Sequence, residues 1–417
     1  MMFQIYVQYD LEKYSDEKYY PWEKVKYLTL PPELESPEEL WYIIRWRRYG
    51  RSTPIWNTDG TRFSFKKVNF LEELLHNLDL SLGGSFLGAD LTKDEKKIFL
   101  QNGIAEEAIS SSQIEWALTS SKVAREMIAK WRKPITRDER MILNNYRAMN
   151  YIKDELTKEN LTKENLIALQ AMLTDGTLEN PDEVWRLRTN DDMIVVQDRI
   201  TGEVYHNPPS EKELIKELDT LMQYANDTDE SGFTHPFIKW IILHFWIGFL
   251  HPFCDGNGRT ARAIFYWYLL KKWYWGFSYI PISQTIKSSK KQYTDAYLYS
   301  EQDGSDLTYF IVYIANKTNL AFEEFKKYVN KKRKEQKWLI SELSHLKLND
   351  RQNKLIGYFM ENLKWFTNVT IHKNYYNISI NPAKNDLEEL LRKWFLIKEK
   401  QGKYVNYYPA HNLSELL

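Results

Sequence analysis

The sequence has little of what marks several protein classes. Among its 417 residues there is one cysteine, Cys254, which excludes an intramolecular disulfide and a zinc site built from several thiolates, and which suits a reducing compartment. Its 16 glycines and 14 prolines are about 7% of the chain, against an average of ~12%. Because turns depend on these residues, a sandwich or barrel is disfavoured and long helices are expected.

The sequence also lacks an excess of charge and a long apolar run. Its 57 Lys and Arg residues balance 57 Asp and Glu residues, so there is no electrostatic footprint for bulk nucleic acid or an anionic membrane. The most apolar stretch, residues 237–253, contains Lys239 and His244 and is shorter than the ~20 apolar residues of a spanning helix. It is expected to be a buried core helix. The N-terminus has no secretory signal pattern, so we expect a cytoplasmic protein without a membrane segment.

What is present divides most of the chain into two predicted regions. Residues 1–85 indicate an accessory region with a strand at 3–7, a helix at 38–48 and no legible function. Residues 86–335 have apolar residues at helical spacing, interrupted by a hairpin at 188–209. After the hairpin, helices are predicted at 210–224, 234–250, 259–273, 290–299 and 307–329. The fold class predicted is therefore mainly α.

Residues 345–417 indicate a separate unit. Helices predicted at 350–361 and 382–394 are followed by a hairpin, which is the order of a winged helix and suggests DNA binding. The second helix, however, mixes basic and acidic residues: Lys384, Arg392 and Lys393 with Asp386, Glu388 and Glu389. Phosphate contacts need Lys and Arg clustered on one side. DNA binding and a structural or protein-docking role both stay open for this unit.

The most informative segment is HPFCDGNGRTAR, residues 251–262, which lies between two predicted apolar helices. Gly256 and Gly258 stand at a helix N-terminus, where converging backbone amides and the helix dipole favour an anion. His251 is a candidate base and Asp255 a candidate Mg²⁺ ligand. The segment is not a Walker loop, because no Gly-Lys-Ser/Thr follows, nor a dinucleotide fingerprint, because no strand precedes it.

The same segment supplies three further groups for phosphate chemistry: Asn257 as an amide donor, with Arg259 and Arg262 as cations. The structural alternative is a simple inter-helix turn, in which His251 and Asp255 cap the two helices. A turn of that kind needs no base, metal ligand and pair of arginines together. The combination therefore favours a phosphate-handling site.

This segment resembles the signature of the Fic (filamentation-induced-by-cAMP) family, with Cys254 at the variable fourth position. The resemblance extends over roughly residues 95–330 and implies a Fic-type helical bundle with a β-hairpin flap. It also implies protein adenylyltransferase activity (AMPylation). In that reaction a Ser, Thr or Tyr hydroxyl of a protein target attacks the α-phosphate of ATP, and pyrophosphate leaves.

The resemblance implies a role for each residue of the motif. His251 would be the general base, and Asp255 would hold Mg²⁺ between the α- and β-phosphates. Arg259 would neutralise the leaving pyrophosphate, and Arg262 would meet the γ-phosphate. The implied phosphate-binding residues are Gly256, Asn257, Gly258, Arg259 and Arg262. Cys254 has no base against it in the sequence pattern and carries little weight as a nucleophile.

Two neighbouring features are similar to the family's substrate contacts. The hairpin at 188–209 resembles the flap that receives the target segment by main-chain pairing. Its edge would be formed by Met193, Ile194, Val195 and Val196; a hairpin of structural value only is the alternative. Tyr293 and Tyr297, four residues apart on a predicted helix, would line the adenine pocket or simply pack.

A helix at about 108–120 resembles the family's inhibitory helix, whose pattern is Ser or Thr, three residues, Glu, then Gly or Asn. Ser111 and Glu115 fit this pattern and Trp116 does not. The resemblance implies that Glu115 pairs with Arg262, displaces the γ-phosphate and makes the enzyme autoinhibited. A capping box from Ser112 to Glu115 is the alternative, and the two can coexist.

The expected partners are ATP, with Mg²⁺ as cofactor, and a protein target that offers a hydroxyl side chain. Self-modification and homodimer formation stay open, and no membrane is expected. Three other functions also stay open. These are removal of AMP from proteins (deAMPylation), transfer of another phosphate-bearing group, and a nucleotide-sensing DNA-binding regulator.

Overall fold

A computed structural model describes residues 2–50, 52–56, 62–80, 93–198, 201–229, 232–343, 347–361, 365–401, 404–410 and 413. About 66% of the chain is helical, which confirms the mainly α prediction. The predicted start of the helical domain at residue 86 and the flap residues 199–200 lie outside the described residues. The chain divides into two compact units, Met1–Glu323 and Glu324–Leu417.

The helices that begin in the first unit are, in chain order, α1 (Met2–Gln8), α2 (Trp22–Val25), α3 (Pro37–Tyr49), α4 (Asn69–Leu78), α5 (Lys93–Ile114), α6 (Ser121–Ala129), α7 (Arg137–Asp154), α8 (Lys163–Thr174), α9 (Glu211–Ala225), α10 (Pro236–Leu250), α11 (Asn257–Lys271), α12 (Ile282–Lys287), α13 (Lys290–Gln302) and α14 (Thr308–Leu343). Two antiparallel hairpins accompany them: β1 (Ser52–Trp56) with β2 (Arg62–Lys66), and β3 (Val196–Gln197) with β4 (Val204–His206).

The strand predicted at residues 3–7 is wrong, because this segment is helix α1. Its β-branched and aromatic residues favour a strand by propensity. In the fold, Ile5 and Tyr6 instead pack into a cluster with residues of α3, such as Ile43 and Ile44. Tertiary packing of a short helix therefore overrides the local preference.

The core of the first unit is built around α10 and α11, which pack against each other. α10 is apolar all round, as expected for a buried helix, and Trp240 and Trp246 have no exposed surface. This confirms that residues 237–253 are a core segment. No helix among the described residues is long and apolar enough to cross a membrane. The connection between α10 and α11, which contains the motif, is thus held between two buried helices.

Two further elements pack on this core. α5 lies against α7 and α12, and its buried Glu107 accepts hydrogen bonds from Tyr266 Oη at 2.8 Å and from the Ser283 amide at 2.9 Å. Phe63 of β2 packs edge-on against Trp246, with ring centroids 5.4 Å apart. The inhibitory-helix candidate and the described N-terminal residues are therefore both tied to the α10–α11 core.

The second unit contains α15 (Asp350–Glu361), α16 (Val369–Tyr376), α17 (Ile380–Arg392) and the antiparallel strands β5 (Leu396–Gln401) and β6 (Tyr404–Pro409). α16 is not among the helices predicted from sequence. Asp386 of α17 is 3% exposed and accepts from Arg351 Nε at 2.7 Å and His372 Nε2 at 3.0 Å. One acid of the α17 sequence is therefore internal. The winged-helix assignment stays a prediction.

Candidate active site

The α10–α11 connection begins and ends on left-handed residues. His251, with φ +46°, is the C-cap of α10, and its amide donates to Ile247 O at 3.0 Å. Gly256, with φ +83°, is the N-cap of α11. A Cβ at Gly256 would lie 2.8 Å from Thr174 Cγ2. Glycine is needed there both for its backbone conformation and for the close approach of α8.

Asn257 braces this loop. Its Oδ1 accepts from the Phe253 amide at 2.9 Å, and its Nδ2 donates to Phe253 O at 2.7 Å. The residue is 3% exposed. The structure thus directs the Asn257 side chain towards Phe253, whereas the sequence interpretation directs it towards a phosphate. The groups of the loop that stay directed towards an anion are the backbone amides at the N-terminus of α11.

His251 has the properties of a neutral base. Its Nδ1 lies 3.3 Å from Gly248 O, and because a carbonyl can only accept, Nδ1 carries the proton and Nε2 has a free lone pair. Burial lowers the pKa of His251 to about 4. The ring is therefore uncharged at neutral pH and can accept a proton at Nε2.

The two arginines of the motif are buried, with 1% of Arg259 and 2% of Arg262 exposed. Arg259 Nη1 donates to Leu173 O at 2.7 Å, and its Nη2 lies 3.5 Å from Asp255 Oδ2. Its buried Nε has no hydrogen-bond partner among the described residues. A buried, incompletely paired guanidinium is unusual and fits a site that receives an anion.

Arg262 is held by α5, the contact that the resemblance to the Fic family implies. Its Nε donates to Ser111 Oγ at 2.8 Å and its Nη2 to Glu115 Oε1 at 2.7 Å. A Cβ at Gly258 would collide with the same Glu115 oxygen. The carboxylate therefore lies over the first turn of α11, in the position that a helix N-terminus offers to an anion.

The charge state of Glu115 agrees with this arrangement. Burial works to raise the pKa of the Glu115 carboxyl, but the nearby charges of Arg262, Arg259 and Lys290 outweigh it and hold the pKa below its ordinary value. Glu115 is thus ionised at neutral pH. Its ion pair with Arg262 is charge-assisted and largely shielded from solvent on the arginine side.

The hydrogen bonds at the C-terminal end of α5 define the backbone position of Trp116, the residue after Glu115. The Ala117 amide donates to Ser112 O at 3.1 Å, and the Trp116 amide donates to Gln113 O at 3.2 Å. This is a Schellman helix end, in which the residue after the C-cap is left-handed and is usually Gly or Asn. Trp116, with φ +70°, takes that position. The predicted helix at 108–120 therefore ends at Ile114, and the capping-box alternative is wrong because Ser112 and Glu115 end a helix.

Asp255 fits a Mg²⁺ ion that also binds phosphates. Its side chain lies next to the N-terminus of α11 and is 43% exposed, and Oδ1 accepts from the Gly256 amide at 2.6 Å. Mg²⁺ is usually held by one or two carboxylates together with substrate phosphates. The described residues contain no group of three or more His, Cys, Asp or Glu side chains that could hold a metal.

The hairpin is shorter than predicted. Its strand β3 begins at Val196, and Met193, with φ +48° and 84% exposed, ends a 3₁₀ turn before it. Ile194 and Val195 lie between that turn and the strand. Within the described residues β3 pairs only with β4, so its other edge offers main-chain groups to a partner.

Arg188, at the start of the hairpin, is a site residue that the sequence interpretation missed. It is 5% exposed; its Nε donates to His251 O at 2.8 Å and its Nη2 to Pro209 O at 2.5 Å. Its own amide donates to Pro252 O at 2.9 Å. Arg188 therefore joins the base of the hairpin to the backbone of the candidate base. The sequence could have pointed to Arg188, because it is an arginine at the start of the predicted flap.

Three other residues are candidates from the sequence: Tyr293, Tyr297 and Cys254. Tyr293 Oη lies 2.8 Å from His244 Nε2, and Tyr297 stacks on Phe245 with ring centroids 4.9 Å apart. Both tyrosines thus pack against α10. Burial raises the pKa of the Cys254 thiol to about 11, so the thiol stays protonated and is a poor nucleophile.

The chain is similar to known proteins over a region that includes the 251–262 loop. Residues 160–269 match the family model described as Fic/DOC family. Protein adenylyltransferase Fic of Culex quinquefasciatus is 25% identical over 275 residues, which cover 62% of this chain and 46% of that protein. Protein adenylyltransferase fic-1 of Caenorhabditis elegans is 26% identical over 147 residues, 35% of this chain and 25% of that protein. The chain thus spans between a quarter and about half of these two relatives.

Solved structures show the same fold. A Fic family protein from Desulfovibrio desulfuricans G20 aligns with a TM-score of 0.51 at 16% identity, covering 81% of this chain and 96% of that one. Residues 134–508 of Fic-1 from C. elegans align with a TM-score of 0.50 at 18% identity, covering 62% of this chain and 73% of that one.

Proposed function

We propose that this chain, a Fic family protein, is an autoinhibited protein adenylyltransferase that transfers AMP from ATP to a protein hydroxyl. One observation carries the proposal. A neutral histidine caps α10, two buried arginines lie in the first two turns of α11, and the Glu115 carboxylate lies over the N-terminus of α11. The names of the two curated relatives support the reaction type.

In the proposed reaction, His251 Nε2 takes the proton of the attacking hydroxyl. The hydroxyl oxygen then forms a bond to the α-phosphorus of ATP, and the bond to the β-phosphate bridging oxygen breaks. The α11 amides and Arg259 stabilise the charge that develops on the phosphates. Removing one preorganised donor of this kind typically costs ~10²–10³ in rate. Pyrophosphate leaves, and the target carries AMP.

Asp255 would hold Mg²⁺ against the phosphates. Bound there, the ion would neutralise phosphate charge. The partly exposed Asp255 carboxylate supports a metal that enters together with the nucleotide.

The hairpin would orient the target. Main-chain pairing at the free edge of β3 fixes the backbone of a target segment and leaves its side chains loosely specified. Arg188 supports this role, because it couples the hairpin to the backbone of His251. Arg188 would then help to position both the target hydroxyl and the base.

Autoinhibition follows from competition between two anions. Glu115 occupies the anion position over Gly258 and pairs with Arg262 at 2.7 Å. A nucleotide phosphate needs the same arginine, so ATP cannot engage Arg262 productively while this pair persists. Removing the carboxylate would open the site.

The test is transfer of label from α-labelled ATP with Mg²⁺ to the protein itself and to a cell lysate. We expect Glu115→Gly to label strongly, while the wild type and Glu115→Gly/His251→Ala label weakly. Glu155→Gly is the matched control, because Glu155 is also a helix C-cap and lies on the exposed end of α7.

Two results would contradict the proposal. If no variant transferred label although each bound ATP with Mg²⁺, adenylyl transfer to these acceptors would be excluded. If pre-labelled protein lost AMP only when Glu115 was present, removal of AMP would be the main reaction.

A further inference from the structure

A small cavity in the first unit has a lining that the proposed reaction does not use. It is half open to solvent, has a volume of about 240 Å³ and lies between α2, α3 and the connection from α13 to α14; no residue of the 251–262 loop lines it. Four lining side chains are aromatic and three are acidic: Trp22, Trp41, Tyr299 and Tyr309, with Glu23, Glu38 and Asp303. Of the residues that the structure describes, no lysine, arginine or histidine lines it.

The aromatic rings are arranged in two neighbouring pairs. The centroids of Trp22 and Trp41 are 6.1 Å apart, and those of Tyr299 and Tyr309 are 6.0 Å apart. The face of such a ring is negative, and sets of aromatic rings attract ammonium and guanidinium groups within ~6 Å of the ring centre. The lining therefore contains the residue types that attract a cation.

The acidic residues reinforce this preference. Glu38 is exposed and has no hydrogen bond or ion pair with another described residue. Asp303 is the C-cap of α13, and the negative end of a helix dipole also favours a cation. Burial raises the pKa of Asp303 to about 6, which still leaves it mostly ionised at neutral pH. Glu23 pairs with Lys26 on the same short helix.

The chain already holds guanidinium groups beside this cavity. Arg48 lies 5.3 Å from the Trp41 ring centroid and 5.5 Å from that of Tyr309. Arg45 Nε lies 2.6 Å from Asp303 Oδ1. Arg48 Nη1 also lies 3.7 Å from Asp303 Oδ2, so both arginines pair with Asp303, and the acidic charge that stays open to a ligand is that of the exposed Glu38.

We propose that this cavity binds a small organic cation, an alkylammonium or guanidinium group. Its volume is below the ~300–1,000 Å³ of sites for drug-sized ligands, so it suits one head group. The group could belong to a free amine or to a basic side chain of a peptide, which present the same chemistry. This inference is independent of the adenylyltransferase proposal.

The test measures how tightly small probes bind to the full chain at constant ionic strength. Calorimetry or ligand-observed NMR gives the affinity. The probes are choline and its uncharged isostere 3,3-dimethylbutan-1-ol. We expect choline to bind and the isostere to bind at least roughly threefold more weakly, because cation–π attraction contributes about 0.5–2 kcal/mol. Equal binding of the two would overturn the proposal, as would no binding of any cationic probe.

Variants locate the site. Glu38→Gln and Trp22→Leu should each weaken choline binding roughly threefold or more. The matched controls are Glu72→Gln, in the first turn of α4, and Trp46→Leu on α3; neither residue lines the cavity. Glu38 is exposed, so its substitution should not affect folding. Unchanged choline binding by Glu38→Gln and Trp22→Leu would overturn the assignment of the site.

Two sets of probes distinguish a free small cation from a basic side chain of a peptide. One uses methylammonium and methylguanidinium, and the other uses the blocked tripeptides Gly-Lys-Gly and Gly-Arg-Gly, with Gly-Met-Gly as the neutral control. Tighter binding of the basic peptides than of the free ions would assign the site to a side chain. Tighter binding of the free ions would assign it to a small amine.

Discussion

Lys290 Nζ lies 3.8 Å from the centroid of the Trp116 ring and donates to Ile114 O. Both contacts are at the end of α5, next to Glu115. A cation stabilises the C-terminus of a helix, and its attraction to the ring offsets part of the cost of a left-handed tryptophan. Lys290 of α13 therefore holds the segment that places Glu115 on Arg262.

Replacing Lys290 should weaken the inhibition. We expect Lys290→Met to transfer label roughly 2–10 times faster than the wild type, because the lost contacts are worth about 0.5–1.5 kcal/mol. The rate should stay below that of Glu115→Gly. Amide exchange at Ala117 should also accelerate, because its hydrogen bond closes the helix end.

The matched control is Lys291→Met, on the same helix with a side chain 87% exposed and paired with Asp295. It should behave as the wild type. Equal rates and equal Ala117 exchange in Lys290→Met and the wild type would show that Lys290 does not hold the inhibitory segment.

His251 should titrate at an unusually low pH. Because burial lowers its pKa to about 4 from an ordinary value near ~6.5, the folded state disfavours the charged ring. Stability linked to this group should therefore be present above pH ~6.5 and be lost as the pH falls towards 4. The measurement is the NMR titration of the ring C2 proton, assigned by its absence in His251→Ala. A midpoint between pH 6 and 7 would contradict a histidine that burial keeps neutral at lower pH.

Gly256 should be less tolerant of a side chain than another left-handed glycine. Gly202, with φ +74°, has no atom of a described residue within 4 Å of an added Cβ, whereas a Cβ at Gly256 would lie 2.8 Å from Thr174 Cγ2. Gly202→Ala should lower the free energy of unfolding by about 1 kcal/mol. Gly256→Ala should cost about 1–3 kcal/mol more, because it adds overpacking. Urea unfolding measures both, and equal losses would mean that the close approach of α8 is readily relieved.

Arg188 should position the base without binding the nucleotide. In the Glu115→Gly background, Arg188→Lys should lower kcat roughly 10–100-fold and leave the KM for ATP unchanged, because small misplacements of reacting groups are costly. Arg186→Lys is the control, since Arg186 pairs with Asp192 at the start of the hairpin at 2.7 Å. A raised KM with an unchanged kcat would instead assign Arg188 to nucleotide binding.

The local elements of the helical region follow closely from the sequence. Helices predicted at 210–224, 234–250 and 259–273 correspond to α9, α10 and α11, since long amphipathic or apolar runs bounded by Gly, Pro and capping residues define their own ends. The prediction failed at residues 3–7, where a short run is compatible with strand or helix by periodicity.

The sequence by itself determined the chemistry of the loop, because the base, the metal-ligand candidate and both arginines stand within residues 251–262 and two apolar helices must hold them together. Only the tertiary structure decided how these groups are used. It turns Asn257 inward to Phe253 and brings Glu115 to Arg262. The cavity beside Glu38 likewise joins residues distant in sequence. Such contacts depend on the packing of whole helices, and no local pattern specifies them.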